Sequence, residues 1–262
     1  MQNIIIFFLF ATALFAFLFR LSAKSRKKKF IEELPGDYKI LLLQNVMFYQ
    51  KLSEPYKLQF EERVQHFLSS VRITGVGTEV EDIDRVLIGA SAIIPIFAFP
   101  DWEYINLHEI LLYPETFNEQ FEQTGNDRPV MGMIGSGAMN HVMILSKHAL
   151  REGFSNKTDK NNTALHEFVH LIDKTDGDTD GIPEVFLQHQ YILPWVEMMR
   201  KNIKDIMQDR SDINPYGATN QAEFFAVVSE YFFERPDLMQ RKHPELYNML
   251  ETIFKKDEVD NS

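Results

Sequence analysis

The chain has no cysteine among its 262 residues. That excludes a disulfide framework, thiolate metal ligands and a cysteine nucleophile, and it fits a reducing compartment. Any metal must therefore be held by His, Asp, Glu or water. Internal repeats and low-complexity tracts are missing beyond the first two dozen residues. The glycine pairs at Gly75 and Gly135 are followed by no Lys-Ser or Lys-Thr, so neither forms a phosphate-cradling loop. Acid is absent from residues 1–29, which carry six basic side chains. The whole chain carries −11 and residues 1–29 carry +6, which leaves −17 on residues 30–262. A body that acidic repels phosphates, which argues against nucleic acid as a partner.

What is present begins with an apolar run, "NIIIFFLFATALFAFLFRL", uncharged until Arg20. As a helix, Ile4 to Leu21 rises roughly 27 Å, close to the bilayer core's thickness of about 30 Å. The basic stretch "RLSAKSRKKK" follows. A cleaved signal peptide needs a basic start and a small-residue cleavage site, and this segment offers neither clearly. We expect an uncleaved transmembrane anchor over residues 1–22 and a basic juxtamembrane linker over 23–34 that sits against anionic lipid. A single domain, 35–262, then faces the cytoplasm under the positive-inside rule.

Over the whole chain, hydrophobic content of 45% and charged content of 25% are ordinary for a globular protein. Periodicity predicts amphipathic helices over 37–52 and 54–71, a short strand at "RITGVGTEV", and a helix over 81–97. "HEILLYP" and "NHVMILS" read as strands. Helices are predicted at 163–172, from Pro183 to about Met207 with Pro194 as a potential break, at 220–233 and at 244–254. The expected fold class is α+β, with a small sheet and a mainly helical second half.

The chemistry is concentrated in "LHEFVHLID", Leu165 to Asp173. On a helix, His166 and His170 are separated by about 400°, so both rings leave one face, spaced to share a Zn²⁺ ion. Glu167 lies about 100° away, where it can reach a water rather than the metal, as a general base must. Apolar neighbours on both sides imply burial, and buried imidazoles and carboxylates need partners. The third ligand has three candidates. Asp173 shares the histidine face but sits roughly 10 Å along the axis from His166, which suits orientation of His170 or the helix exit better than ligation. Glu223, in "NPYGATNQAEFFAVVSEYFFE", leaves the first turn of a helix capped by Thr219 or Asn220 and is the stronger candidate. Glu230, two turns on, competes, though it reads better as an acid outside the ligand set. Tyr216, in a turn before a glycine, could donate to an oxyanion.

"HEFVHLIDKTDGDTDGIP", "PYGATNQAEFFAVVSEYFFERPDLM" and "HPELYNMLETIF", taken in order, resemble the Mlc titration factor A family of zinc-dependent peptidases. The likeness covers most of residues 35–255. It implies a zincin-like fold, similar to the catalytic domain of anthrax lethal factor. It also implies one zinc ion held by His166, His170 and Glu223, with Glu167 as base and Tyr216 assisting. Family members have aminopeptidase-like activity on small peptides, and the namesake sequesters a glucose repressor. The chain is thus expected to be a membrane-anchored peptidase acting on a peptide or protein substrate; the alternative is a regulatory protein-binding module that keeps the zinc site. The anchor and the stretch "MGMIGSGAMNHVMILSKHAL" depart from the family pattern, so neither substrate preference nor repressor binding transfers. "HVMILS" is expected to be an edge strand that aligns substrate.

"DGDTDG", Asp176 to Gly181, imitates the opening of a calcium loop, but the position that needs a bidentate glutamate is Leu187. A solvated acidic turn is the better reading. The remaining histidines lack paired spacing and read as surface or packing residues.

Overall fold

The computed structural model describes residues 34–116, 131–135, 141–155 and 160–255. The expected anchor and all but Leu34 of the basic linker lie outside them, as does most of the stretch ahead of the "NHVMILS" strand. Among the described residues no helix is long and apolar enough to cross a membrane.

The first predicted helix is in fact two, α1 (Gly36–Asn45) and α2 (Met47–Lys51). They are divided at Val46, whose backbone is extended and whose side chain is wholly buried. Burying that valine turns the chain where periodicity alone would carry it on. Helix α3 (Glu54–Ser70) starts with Pro55 in its first turn, where the missing N–H has no intrahelical role. It buries Phe60, Val64 and Phe67. Strand β1 (Arg72–Gly75) leads to α4 (Asp82–Ile93), where Asp84 accepts the Glu81 backbone N–H at 2.9 Å.

The sheet adds β2 (Glu109–Tyr113), β3 (Gly132–Ile134) and β4 (Val142–Ser146), in the spatial order β1-β2-β4-β3. Strands β1, β2 and β4 are parallel, and β3 pairs antiparallel with β4. This corrects one expectation. The "HVMILS" strand is interior, with Met143, Ile144 and Leu145 buried, and the edge beside it is β3. Strand β4 has β2 on one side and β3 on the other, and Met143 and Ile144, on opposite faces, show that both faces of the sheet are covered there.

Helix α5 (Lys147–Ser155) follows β4 directly; Lys147 and Arg151 hold the fully buried Asp84 at 3.2 and 2.7 Å, tying α5 to the start of α4. The second half comprises α6 (Thr163–Asp173), α7 (His189–Met207), α8 (Gln221–Glu234), α9 (Pro236–Lys242) and α10 (Pro244–Phe254). The helix expected from Pro183 starts only at His189, because residues 183–187 close a turn in which both Phe186 and Leu187 donate to the Pro183 carbonyl. Pro194 lies inside α7 without ending it. The architecture is therefore α+β, mainly helical with a small four-stranded sheet.

Helix α6 is central: it packs against α4, α5, α8 and β3. Its Leu165, Phe168, Val169 and Ile172 are completely buried, each worth roughly 1.5–3 kcal/mol of apolar transfer. The Phe168 ring meets Phe67 of α3 edge-on at 5.6 Å.

Candidate metal centre

The two helices that bear the candidate ligands are fastened to one another by polar contacts as well as apolar packing. Asn162 caps α6 by accepting the Leu165 N–H at 3.1 Å. Its own backbone N–H donates to Glu230 of α8 at 2.6 Å, and its side-chain amide donates to Glu234 at 2.8 Å. At the other end, Asn220 caps α8 through the Glu223 N–H, which settles the choice between Thr219 and Asn220. Gly181, with φ near +79°, lies so close to the α8 entrance that a Cβ there would stand 2.3 Å from the Gln221 carbonyl oxygen. It donates to Asp173 at 2.9 Å, and its carbonyl accepts the Trp195 indole N–H at 2.7 Å. One glycine thus joins the end of α6, the start of α8 and Trp195 within α7.

These restraints bring His166, His170 and Glu223 together, with ligand atoms all within 4.8 Å of one another. The two Nε2 atoms are 3.0 Å apart, and Glu223 Oε2 lies 3.0 Å from that of His166 and 3.4 Å from that of His170. Ligands on a tetrahedral centre at 2.0–2.1 Å are separated by about 3.3 Å, so the spacing fits an ion of zinc's size. Oxygen and imidazole nitrogen, without sulfur, form a donor set that zinc accepts. His166 Nδ1 lies 2.7 Å from Glu230 Oε1. The ring must donate from that side, which directs Nε2 towards the shared point. Glu230 is therefore an orienting partner of His166, outside the ligand set as the sequence suggested, and Asp173 serves as the helix exit rather than a ligand.

Electrostatics points the same way. Burial disfavours charge on His166, but Glu230 and Glu223 outweigh it and raise its pKa to about 10. Burial also works against the Glu223 carboxylate, yet hydrogen bonds from His166 and His170 pull its pKa down to about 2. The carboxylates here call for a cation. Burial lifts the pKa of Glu167 against the pull of both histidines, the direction a general base needs. Burial, then Glu223, raises that of Tyr216 and keeps the phenol protonated. The Tyr216 ring centre is 6.0 Å from that of His166.

All five candidates line one cleft of about 540 Å³, roofed by β3. Gly132 approaches so closely that a Cβ there would lie 2.7 Å from Glu167 Oε1. The sequence tied the stretch that begins at Met131 to substrate preference but singled out neither Gly132 nor Ile134; a glycine between methionines carries no strand signal, and pairing with β4 reveals their place. In the acidic turn, Asp176 and Asp180 accept the N–H groups of Asp178 and Ile182, Asp180 also lines the cleft, and Leu187, where a calcium loop needs its glutamate, is buried.

The sequence pattern of the glucose-regulated metallo-peptidase M90 family matches residues 21–255. An uncharacterized protein of Synechocystis is 28% identical over 240 residues, covering 87% of this chain and 86% of that protein. Mlc titration factor A of Pectobacterium atrosepticum is 24% identical over 190 residues (67% and 69%), and that of Escherichia fergusonii is 28% identical over 198 residues (70% and 72%).

Proposed function

Because the chain belongs to the glucose-regulated metallo-peptidase M90 family, we propose that it is a zinc-dependent peptidase working in the cleft between β3 and α6. The observation that carries this reading is the convergence of His166, His170 and Glu223 on one point, with Glu167 beside it. When bound there, zinc would supply Lewis acidity and bring the pKa of a coordinated water to about 7. Glu167 takes a proton from the attacking water and returns it to the leaving amine, a role worth typically about 10²–10⁴-fold. The Tyr216 phenol donates to the developing oxyanion.

Substrate is aligned by β3. Ser146 N–H donates to the Met131 carbonyl and Gly135 N–H to that of Val142. In an antiparallel ladder this phase turns the backbone groups of Met131, Met133 and Gly135 towards β4. Those of Gly132 and Ile134 then face the cleft, where an extended peptide can add as a further strand. The proposal includes an anchor at residues 1–22, a basic linker at 23–34, a catalytic domain at 35–262 facing the cytoplasm, and aminopeptidase-like action on short substrates.

Glu167→Gln tests the assignment: turnover should fall by at least about 10²-fold while zinc stays bound. Wild-type turnover in that variant would remove Glu167 from the mechanism. A second reading is favoured by the relatives' name, Mlc titration factor A, which suggests binding of a regulatory protein. If the biological output survives Glu167→Gln intact, binding is the function.

A further inference from the structure

Beside the catalytic cleft lies a second hollow of about 340 Å³, formed by residues 102–107 on one side and the end of α6 with the turn after it on the other. Lys174 borders both hollows. Trp102, Leu107 and Leu171 provide apolar lining, and Ile105 stands 75% exposed there. Glu103 and Asp176 give it an acidic rim. The walls are fixed. Trp102 packs edge-on against Tyr104 at 4.7 Å and against Phe186 at 5.4 Å. The Tyr104 hydroxyl donates to the Ala92 carbonyl, and the Asn106 carbonyl is bonded by His141. A lone exposed isoleucine is unremarkable, but one beside a preformed apolar hollow of ligand-binding size is a recognition feature.

The sheet register says what reaches it. Ile134 of β3 aligns with Met143 of β4 and Ile110 of β2, and two residues on, His108 N–H donates to the His141 carbonyl. A peptide paired to β3 that runs out past Ile134 leaves the sheet at the end where residues 104–108 enter it.

We propose that this hollow is a remote substrate subsite for a large apolar or aromatic side chain, placed several residues from the scissile bond, with Ile105 and Trp102 as its specificity-determining residues. The inference rests on the peptidase reading and deepens it: the preferred substrate is a polypeptide segment that spans both hollows.

The test uses the zinc-loaded full chain and two sets of peptides. One set is short; the other is extended, with phenylalanine moved position by position up to about six residues from the cleaved bond on either side. At one position phenylalanine should raise kcat/KM about 10-fold over glycine, through KM. In Ile105→Asp, the ratio of kcat/KM for that peptide to that for the short peptide should fall back about 10-fold. A flat positional profile, or an unchanged ratio in Ile105→Asp, would overturn the subsite. If the wild type cleaves nothing, the peptidase reading fails separately, and binding of the same labelled peptides decides the hollow. A phenylalanine preference in Kd, lost in Ile105→Asp, would then uphold it; equal binding of the phenylalanine and glycine peptides would sink it.

Discussion

In a Gly132→Ala variant the new methyl group would stand 2.7 Å from both Cγ and Oε1 of Glu167. Ordinary carbon contacts lie at about 3.5–4.0 Å, so something must move by roughly 1 Å. The atoms in the way belong to the end of a flexible side chain, which makes Glu167 the group that yields while β3 and α6 stay put. Glu167 is only 7% exposed, so it shifts within the cleft rather than swinging out to solvent. A general base misplaced by about 1 Å loses on the order of 10²-fold in rate, equivalent to about 2.7 kcal/mol of barrier. The zinc ligands are untouched. We therefore expect kcat to fall about 10²-fold, with zinc content unchanged and the melting temperature within a few degrees of wild type. Steady-state kinetics, elemental analysis and thermal denaturation on one preparation would decide it. Wild-type kcat would refute the role given to the β3–Glu167 contact, and loss of zinc along with activity would refute its locality.

Glu230→Gln should leave the fold intact but weaken zinc binding about 10–100-fold, read by competition with a chromophoric chelator, because an amide cannot serve both His166 and the Asn162 N–H as a carboxylate does. Tyr216→Phe should cut kcat on the order of 10²-fold with zinc retained and KM little changed, which single-substrate kinetics would check. Burial raises the pKa of Asp173 to about 6 from an ordinary 3.8. A carboxyl raised in the folded state gives stability that is present below about pH 4 and lost as pH rises through 6. In metal-free protein, urea unfolding should therefore show Asp173→Asn gaining on wild type between pH 4.5 and 7.5, by about 2 kcal/mol.

Much of the site was legible because its parts are local. The i, i+4 spacing of His166 and His170 follows from helix geometry, and the position of Glu223 follows from a cap that Asn220 could announce. The small sheet and helical second half followed from periodicity. What was hidden depends on distant partners. Strand β3 exists because Met131 and Gly135 meet β4, and nothing in "MGMI" foretells it, so the edge was assigned one strand too far along. The short α2 and the turn at residues 183–187 arise because Val46, Phe186 and Leu187 are drawn into the core. Glu230 could be ranked by elimination, but its hold on His166 needed two helices in place.

The bond network of Asn162 with Glu230 and Glu234 clasps the ligand-bearing helices without any help from an ion. The apoprotein should then keep its socket ready-made, so that taking up zinc is a docking event rather than a folding one. Occupancy would track the free metal concentration around it, gaining stability as RT ln(1 + [Zn²⁺]/Kd). Metal supply would act as a dial on such a protein, able to silence it and restore it with the chain intact throughout.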